Sequence, residues 1–106
     1  MADHSTVIND TRQLVDWVAA GAKPKLDWRI GTEHEKILFH RGDFRPVAYE
    51  GADGVGVMLD ALCTHIGDKA HPIMEKGHII GLKDGEGGSV TLEPGGQLEL
   101  SGAPLV

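Results

Sequence analysis

Cysteine, basic charge and long apolar runs are all scarce in this chain, and each shortage removes a class of function. Cys63 is the single cysteine among 106 residues, so no internal disulfide can form. A disulfide-stapled extracellular scaffold is therefore excluded, and a reducing, cytoplasmic setting is the expectation. Lysine and arginine total 10 against 16 aspartates and glutamates, for a formal charge of -6. Phosphate backbones and anionic membranes repel such a surface, so neither nucleic acid nor a membrane is expected as a partner. An acidic chain can still hold an anionic nucleotide where divalent cations bridge the two. No apolar run approaches the ~20 residues of a membrane span, and Asp3 and His4 interrupt the apolar start of a secretory leader. The Asn9-Asp10-Thr11 sequon is accordingly expected to carry no glycan.

What remains is 41% apolar and 25% charged, the composition of a folded domain or of a piece of one. Val7, Leu14, Val15, Val18 and Ala19 recur at helical spacing, which predicts a helix over 6–20 stopped by Gly21. Residues 27–40 are rich in Trp, Ile, Thr and Phe and predict a long strand. A loop over 41–53 follows, with a short strand near Val47. Val55, Met58, Leu59, Leu62, Cys63 and Ile66 then form an apolar stripe that predicts a second helix, capped by Asp53 and stopped by Gly67. Cys63 belongs to that stripe and reads as a small packed residue, not a nucleophile. Short strands take over from residue 71, notably 78–83, 89–93 and 97–101. There is no internal repeat and no low-complexity tract. Two helices and four to six strands imply an α+β class, with an antiparallel β-sheet covered on one face by helices.

The acidic residues are spaced as a sheet would display them. Glu33 and Glu35 are two apart, so on a strand they share a face about 7 Å apart. Farther on, Val90, Leu92, Leu98 and Leu100 are even-numbered, whereas Glu93, Gln97 and Glu99 are odd. A two-residue loop at Pro94-Gly95-Gly96 would split the apolar set between core and solvent. A three-residue loop pairing Glu93 with Gln97 keeps that set together, as does a bent continuous strand. Both surviving geometries gather Glu93, Gln97 and Glu99 on one face. Oxygen-only clusters suit Mg²⁺, which keeps several waters and bridges carboxylates to substrate phosphates. Without a cation, the crowded carboxylates would raise one another's pKa. Spacing alone leaves two readings open, a divalent-metal site and a solvated acidic sheet face.

Two longer strings carry a resemblance. Trp28-Arg29-Ile30-Gly31-Thr32-Glu33-His34-Glu35-Lys36 is similar to the first core strand of plant- and proteobacterial-type glutamate–cysteine ligases. Ile79-Ile80-Gly81-Leu82-Lys83, followed by the Val90–Leu105 segment VTLEPGGQLELSGAPL, resembles a second signature of that family in matching order. The resemblance implies a glutamine-synthetase-like catalytic fold whose sheet forms a funnel for ATP, Mg²⁺ and L-glutamate. It implies ATP-dependent ligation of the glutamate γ-carboxylate to L-cysteine through a γ-glutamyl phosphate, the first step of glutathione biosynthesis. By the same analogy Glu33, Glu35, Glu93 and Glu99 are Mg²⁺ ligands and Gln97 is a ligand or substrate contact. Arg29 and Lys36 are left structural. Ile37-Leu38-Phe39-His40 departs from the family's pattern as a core variation. Members run much longer, so residues 1–106 are expected to be the incomplete N-terminal portion of the catalytic domain, with little or no turnover alone.

Other signals carry less. The six histidines lack HxxxH or HExxH spacing, Arg41-Gly42-Asp43 needs only a loop, and Gly54-Val55-Gly56 lacks a third glycine. Gly85–Gly88 has no Gly-Lys-Ser/Thr ending and reads as a turn. The competing expectation from another class is a non-catalytic fragment that binds metal or self-associates, forming a homo-oligomer through exposed sheet edges.

Overall fold

A computed structural model describes residues 7–106. It divides into two compact units, one running to Arg29 and including Val106, the other Ile30–Leu105. The first holds α1 (Thr11–Ala20). The predicted helix began at Thr6, which lies outside the described residues, and the observed one starts later because Asp10 caps it. The Asp10 carboxylate accepts from the Arg12 amide at 2.9 Å. In return the Gln13 side chain accepts from the Asp10 amide at 3.1 Å. This reciprocal box satisfies amides that the first turn would otherwise leave unpaired. Asp10, the middle residue of the sequon, is thus a structural cap. Pro24 then leads into a short 3₁₀ turn over Lys25–Asp27.

The second unit is a five-stranded antiparallel sheet in the order β1-β5-β4-β3-β2, with β1 (Glu33–Lys36), β2 (His71–Glu75), β3 (His78–Lys83), β4 (Ser89–Leu92) and β5 (Leu98–Ser101). Helix α2 (Val55–Ile66) packs over β3. The α+β antiparallel class expected from the sequence is the one observed. Within this unit Leu59 and Leu82 are fully buried, with Val55, Ile79 and Leu98 beside them. Met58, Leu62, Cys63 and Ile66 of the predicted stripe pack against that cluster. The Tyr49 hydroxyl donates to the Ile79 carbonyl at 2.8 Å, tying the loop before α2 to β3.

Two local expectations are corrected, and one element is added. The long strand over 27–40 shrinks to four residues, flanked by isolated bridges Ile30–Leu105 and Phe39–Pro46. Beyond Lys36 the chain leaves β5 and turns back on itself, with the Val47 amide donating to the Leu38 carbonyl. The α2 cap is Gly54, not Asp53. A Cβ at position 54 would overlap the Tyr49 and Glu50 carbonyls, so the close approach of the preceding loop takes precedence over a capping side chain. Finally, β2 and its Lys76-Gly77 hairpin turn, with positive φ at both residues, were not singled out from the sequence. A bulge in this hairpin, where Ile73 pairs Gly81 and Met74 pairs Ile79, brings both Ile79 and Leu82 to the core. In an unbroken strand residues three apart face opposite ways.

Candidate functional site

The turn between β4 and β5 settles how the odd-numbered polar residues are displayed. The Glu93 amide donates to the Gln97 carbonyl at 2.8 Å and the Gly96 amide to the Glu93 carbonyl at 2.9 Å. Gly96 takes φ +87. This is the three-residue loop, one of the two geometries that parity allowed, and a turn closed by glycine in the left-handed region. It pairs Leu92 with Leu98 and Val90 with Leu100, which leaves Thr91 opposite Glu99 on the other face. Leu98 is buried, but Leu100 stays 49% exposed, beside His34 of β1.

Strand β1 adds its own carboxylates to that face. Glu35 sits directly opposite Glu99, and Glu33 opposite Ser101. Directly opposed residues on antiparallel strands have Cβ atoms roughly 5 Å apart, so two acids meet here without a basic residue between them. The Glu35 carboxyl is held above its ordinary value of 4.5. The first cause is the hydrogen bond its protonated form makes to Glu99, then burial, then the negative charges of Glu99, Glu93 and Glu33. The negative charges of three acids on β1, β5 and the turn after β4 therefore all bear on Glu35.

Two hydroxyls of the same parity hold the acids in place. The Thr91 hydroxyl donates to Glu93 at 2.8 Å and the Ser101 hydroxyl to Glu99 at 2.9 Å. Sequence reasoning passed over both, although their odd numbers put them in register with the glutamates. Gln97 folds back over Gly95, where any Cβ would collide with its amide. Its Oε1 is buried and accepts no hydrogen bond, an unusual state for a buried acceptor.

The donor set therefore suits a hard cation: carboxylate and amide oxygens, one carboxyl strained by like charge, and one acceptor lacking a donor. Among the described residues no three His, Cys, Asp or Glu side chains are drawn close enough together to form a ready-made metal cage. Mg²⁺ is commonly held by one or two carboxylates together with waters and substrate phosphates, so that looser arrangement is compatible with it.

An antiparallel α+β unit displaying carboxylates and an amide on the face away from α2 defines an acidic surface built on a sheet. Comparison with known proteins gives it a family. The model of Glutamate-cysteine ligase family 2 matches residues 29–106, and the chain belongs to that family. It is 48% identical over 95 residues to the chloroplastic glutamate–cysteine ligase of Medicago truncatula, covering 89% of this chain and 17% of the relative. Identity is also 48% over 93 residues to the chloroplastic glutamate–cysteine ligase A of Oryza sativa subsp. japonica, covering 87% and 18%. The chloroplastic enzyme of Nicotiana tabacum gives 48% over 92 residues, covering 87% and 16%. The chain thus spans about a sixth of the length of these relatives. Their names also correct the cytoplasmic expectation, since these relatives are chloroplastic. A lone cysteine reports on redox chemistry, and redox chemistry does not single out one compartment.

Proposed function

We propose that residues 1–106 are the N-terminal portion of a glutamate–cysteine ligase catalytic domain of glutamine-synthetase-like fold. The reaction would join the γ-carboxylate of L-glutamate to the amine of L-cysteine at the expense of ATP, through a γ-glutamyl phosphate, opening glutathione biosynthesis. Its chemistry brings the γ-phosphoryl group of ATP against a carboxylate, so several anionic oxygens crowd together and require neutralisation. In this reading Glu33, Glu35, Glu93 and Glu99 hold Mg²⁺, which would supply that neutralising charge. Ser101 and Thr91 orient Glu99 and Glu93 by the hydrogen bonds their hydroxyls donate. The unpartnered Gln97 Oε1 accepts either from a metal-bound water or from the substrate ammonium. The observation that carries the reading is the direct pairing of Glu35 with Glu99, two acids from separate segments made neighbours by the fold.

The test is divalent-cation titration of the protein as its gene encodes it, alongside phosphate release with glutamate, cysteine and Mg-ATP. Glu35→Ala and Glu99→Ala are expected to weaken Mn²⁺ or Mg²⁺ binding and to suppress phosphate release. Full turnover after Glu93→Ala or Glu99→Ala would overturn the metal roles. A chain ending at Val106 is expected to show little or no turnover, and coupled turnover by it would refute incompleteness. The edge strands β1 and β2 are the proposed route to homo-oligomers, a reading that sedimentation decides.

A further inference from the structure

Successive pairings across the sheet place Glu33, Ser101, Ser89, Lys83 and His71 in one row running through all five strands. Directly opposed residues share a face, so this row lies on the same face as Glu35 and Glu99. It begins with a carboxylate and ends with an ammonium and an imidazole. At that second end a cavity of about 400 Å³ is lined by His71, Lys83, Ser89 and the glycine loop at Gly85, Gly87 and Gly88.

The two acids of the glycine loop, Asp84 and Glu86, already have partners. Asp84 turns its carboxylate onto its own loop, accepting from the Glu86 amide at 2.7 Å and the Gly88 amide at 2.9 Å. Those backbone hydrogen bonds hold it below the ordinary aspartate value. Glu86 pairs with Lys69 at 2.6 Å. Among the described residues Lys83 has no ion-pair partner. The loop is also kept lean. A Cβ at Gly85 would lie 2.7 Å from the Lys69 carbonyl, and one at Gly88 would collide with the Asp84 carboxylate.

We propose that Lys83, with His71 and the Ser89 hydroxyl, forms an anion site that binds phosphate groups at the far end of a nucleotide's polyphosphate chain. The proposal rests on the nucleotide reading above and extends it across the sheet. Strands β5 and β3 are two spacings apart, about 10 Å. An extended polyanion anchored through a cation near Glu99 at one end therefore reaches toward Lys83 at the other. A compact ammonium suits this role, since lysine meets phosphate as a point charge.

The experiment uses the protein as its gene encodes it and titrates inorganic tripolyphosphate without Mg²⁺, then orthophosphate, then Mn²⁺ alone. Lys83→Gln is expected to weaken tripolyphosphate binding about tenfold, the range of one charge-assisted hydrogen bond. Lys83→Arg is expected to restore most of it, and Lys76→Gln, at the exposed β2–β3 turn, to change nothing. Unaltered tripolyphosphate affinity in Lys83→Gln overturns the site. If that variant misfolds, amide shifts of Lys83, Gly88 and Ser89 in the wild type decide, because their failure to move with tripolyphosphate has the same consequence. Orthophosphate binding as tightly as tripolyphosphate would refute the polyphosphate assignment. Mn²⁺ affinity should be unchanged in Lys83→Gln. Loss of Mn²⁺ binding altogether, with Lys83-dependent tripolyphosphate binding intact, would sink the carboxylate reading and leave the anion site standing.

Discussion

On the side of β3–β5 that meets α2, Leu82, Val90, Leu92 and Leu98 close on Leu59 and Val55. On the opposite side of the same strands Thr91, Glu93, Gln97 and Glu99 stand together, joined from β1 by Glu33 and Glu35. One alternation with a period of two produces both surfaces. The first is apolar, and its buried residues stabilise the unit by removing hydrocarbon from water. The second gathers like charges, which help to hold the Glu35 carboxyl above its ordinary value. The contrast teaches that this sheet is held together by one face, while the other carries its like charges without contributing to the apolar core.

Breaking the apolar side has the largest expected effect. Leu82→Ala, at a fully buried position, should lower the unfolding free energy by about 3 kcal/mol, read from urea or thermal denaturation. Both faces would suffer, because the polar row depends on the same strands. Breaking the acidic side is expected to do something different. Glu99→Ala should reduce divalent-cation affinity tenfold or more, about 1.4 kcal/mol, while the cation-free melting temperature holds or rises. A drop in melting temperature like that of Leu82→Ala would erase the distinction between the faces.

The third prediction lies in the other unit, where neither face is involved. Asp10→Ala removes the reciprocal cap of α1 and should cost that helix about 1 kcal/mol, seen as faster amide exchange in its first turn. Amide protection of the sheet should not follow.

Two smaller effects sharpen the comparison through pH. Glu35 titrates above 4.5 in the folded protein. Its protonated pairing with Glu99 therefore adds stability that is fully present below the unfolded value and is lost as pH rises through the raised folded value. Without divalent cations, β1 and β5 amides should exchange faster as pH passes upward through that range, after correction for intrinsic exchange. Glu35→Gln should flatten the trend, and saturating Mg²⁺ should counter it. Asp84 behaves with the opposite sign. Its folded value lies below 3.8 because loop amides favour the charged form, so its contribution is present above the unfolded value and fades as pH falls through the folded one. Asp84→Ala should remove that acid sensitivity from the β3–β4 loop, and an unchanged acid profile would show the loop to be held by its glycines instead.

Much of this was legible from residue order. The α2 stripe, β3 at residues 78–83, the exclusion of a two-residue turn at Pro94-Gly95-Gly96 and the shared parity of Glu93, Gln97 and Glu99 all follow from local periodicity; the choice between a three-residue turn and a bent strand did not. What escaped local reading has a common cause. Glu35 opposite Glu99, the bulge that turns Ile79 inward, and Gly54 in place of Asp53 as the α2 cap each depend on a partner distant in the chain or on the close approach of another loop. The strand predicted over 27–40 shrank for the same reason, since strand length is set by available backbone partners as well as by side-chain preference.

The amino-acid order by itself determined which residues alternate, where glycine permits the chain to turn, and that this family's two signature strings are present. Tertiary structure alone decided which alternating sets became neighbours, and so which carboxylates repel and that Lys69 finds an acid in Glu86. The physical reason is that periodicity is a short-range property of the backbone, whereas Coulomb interaction depends on distances that only strand register sets.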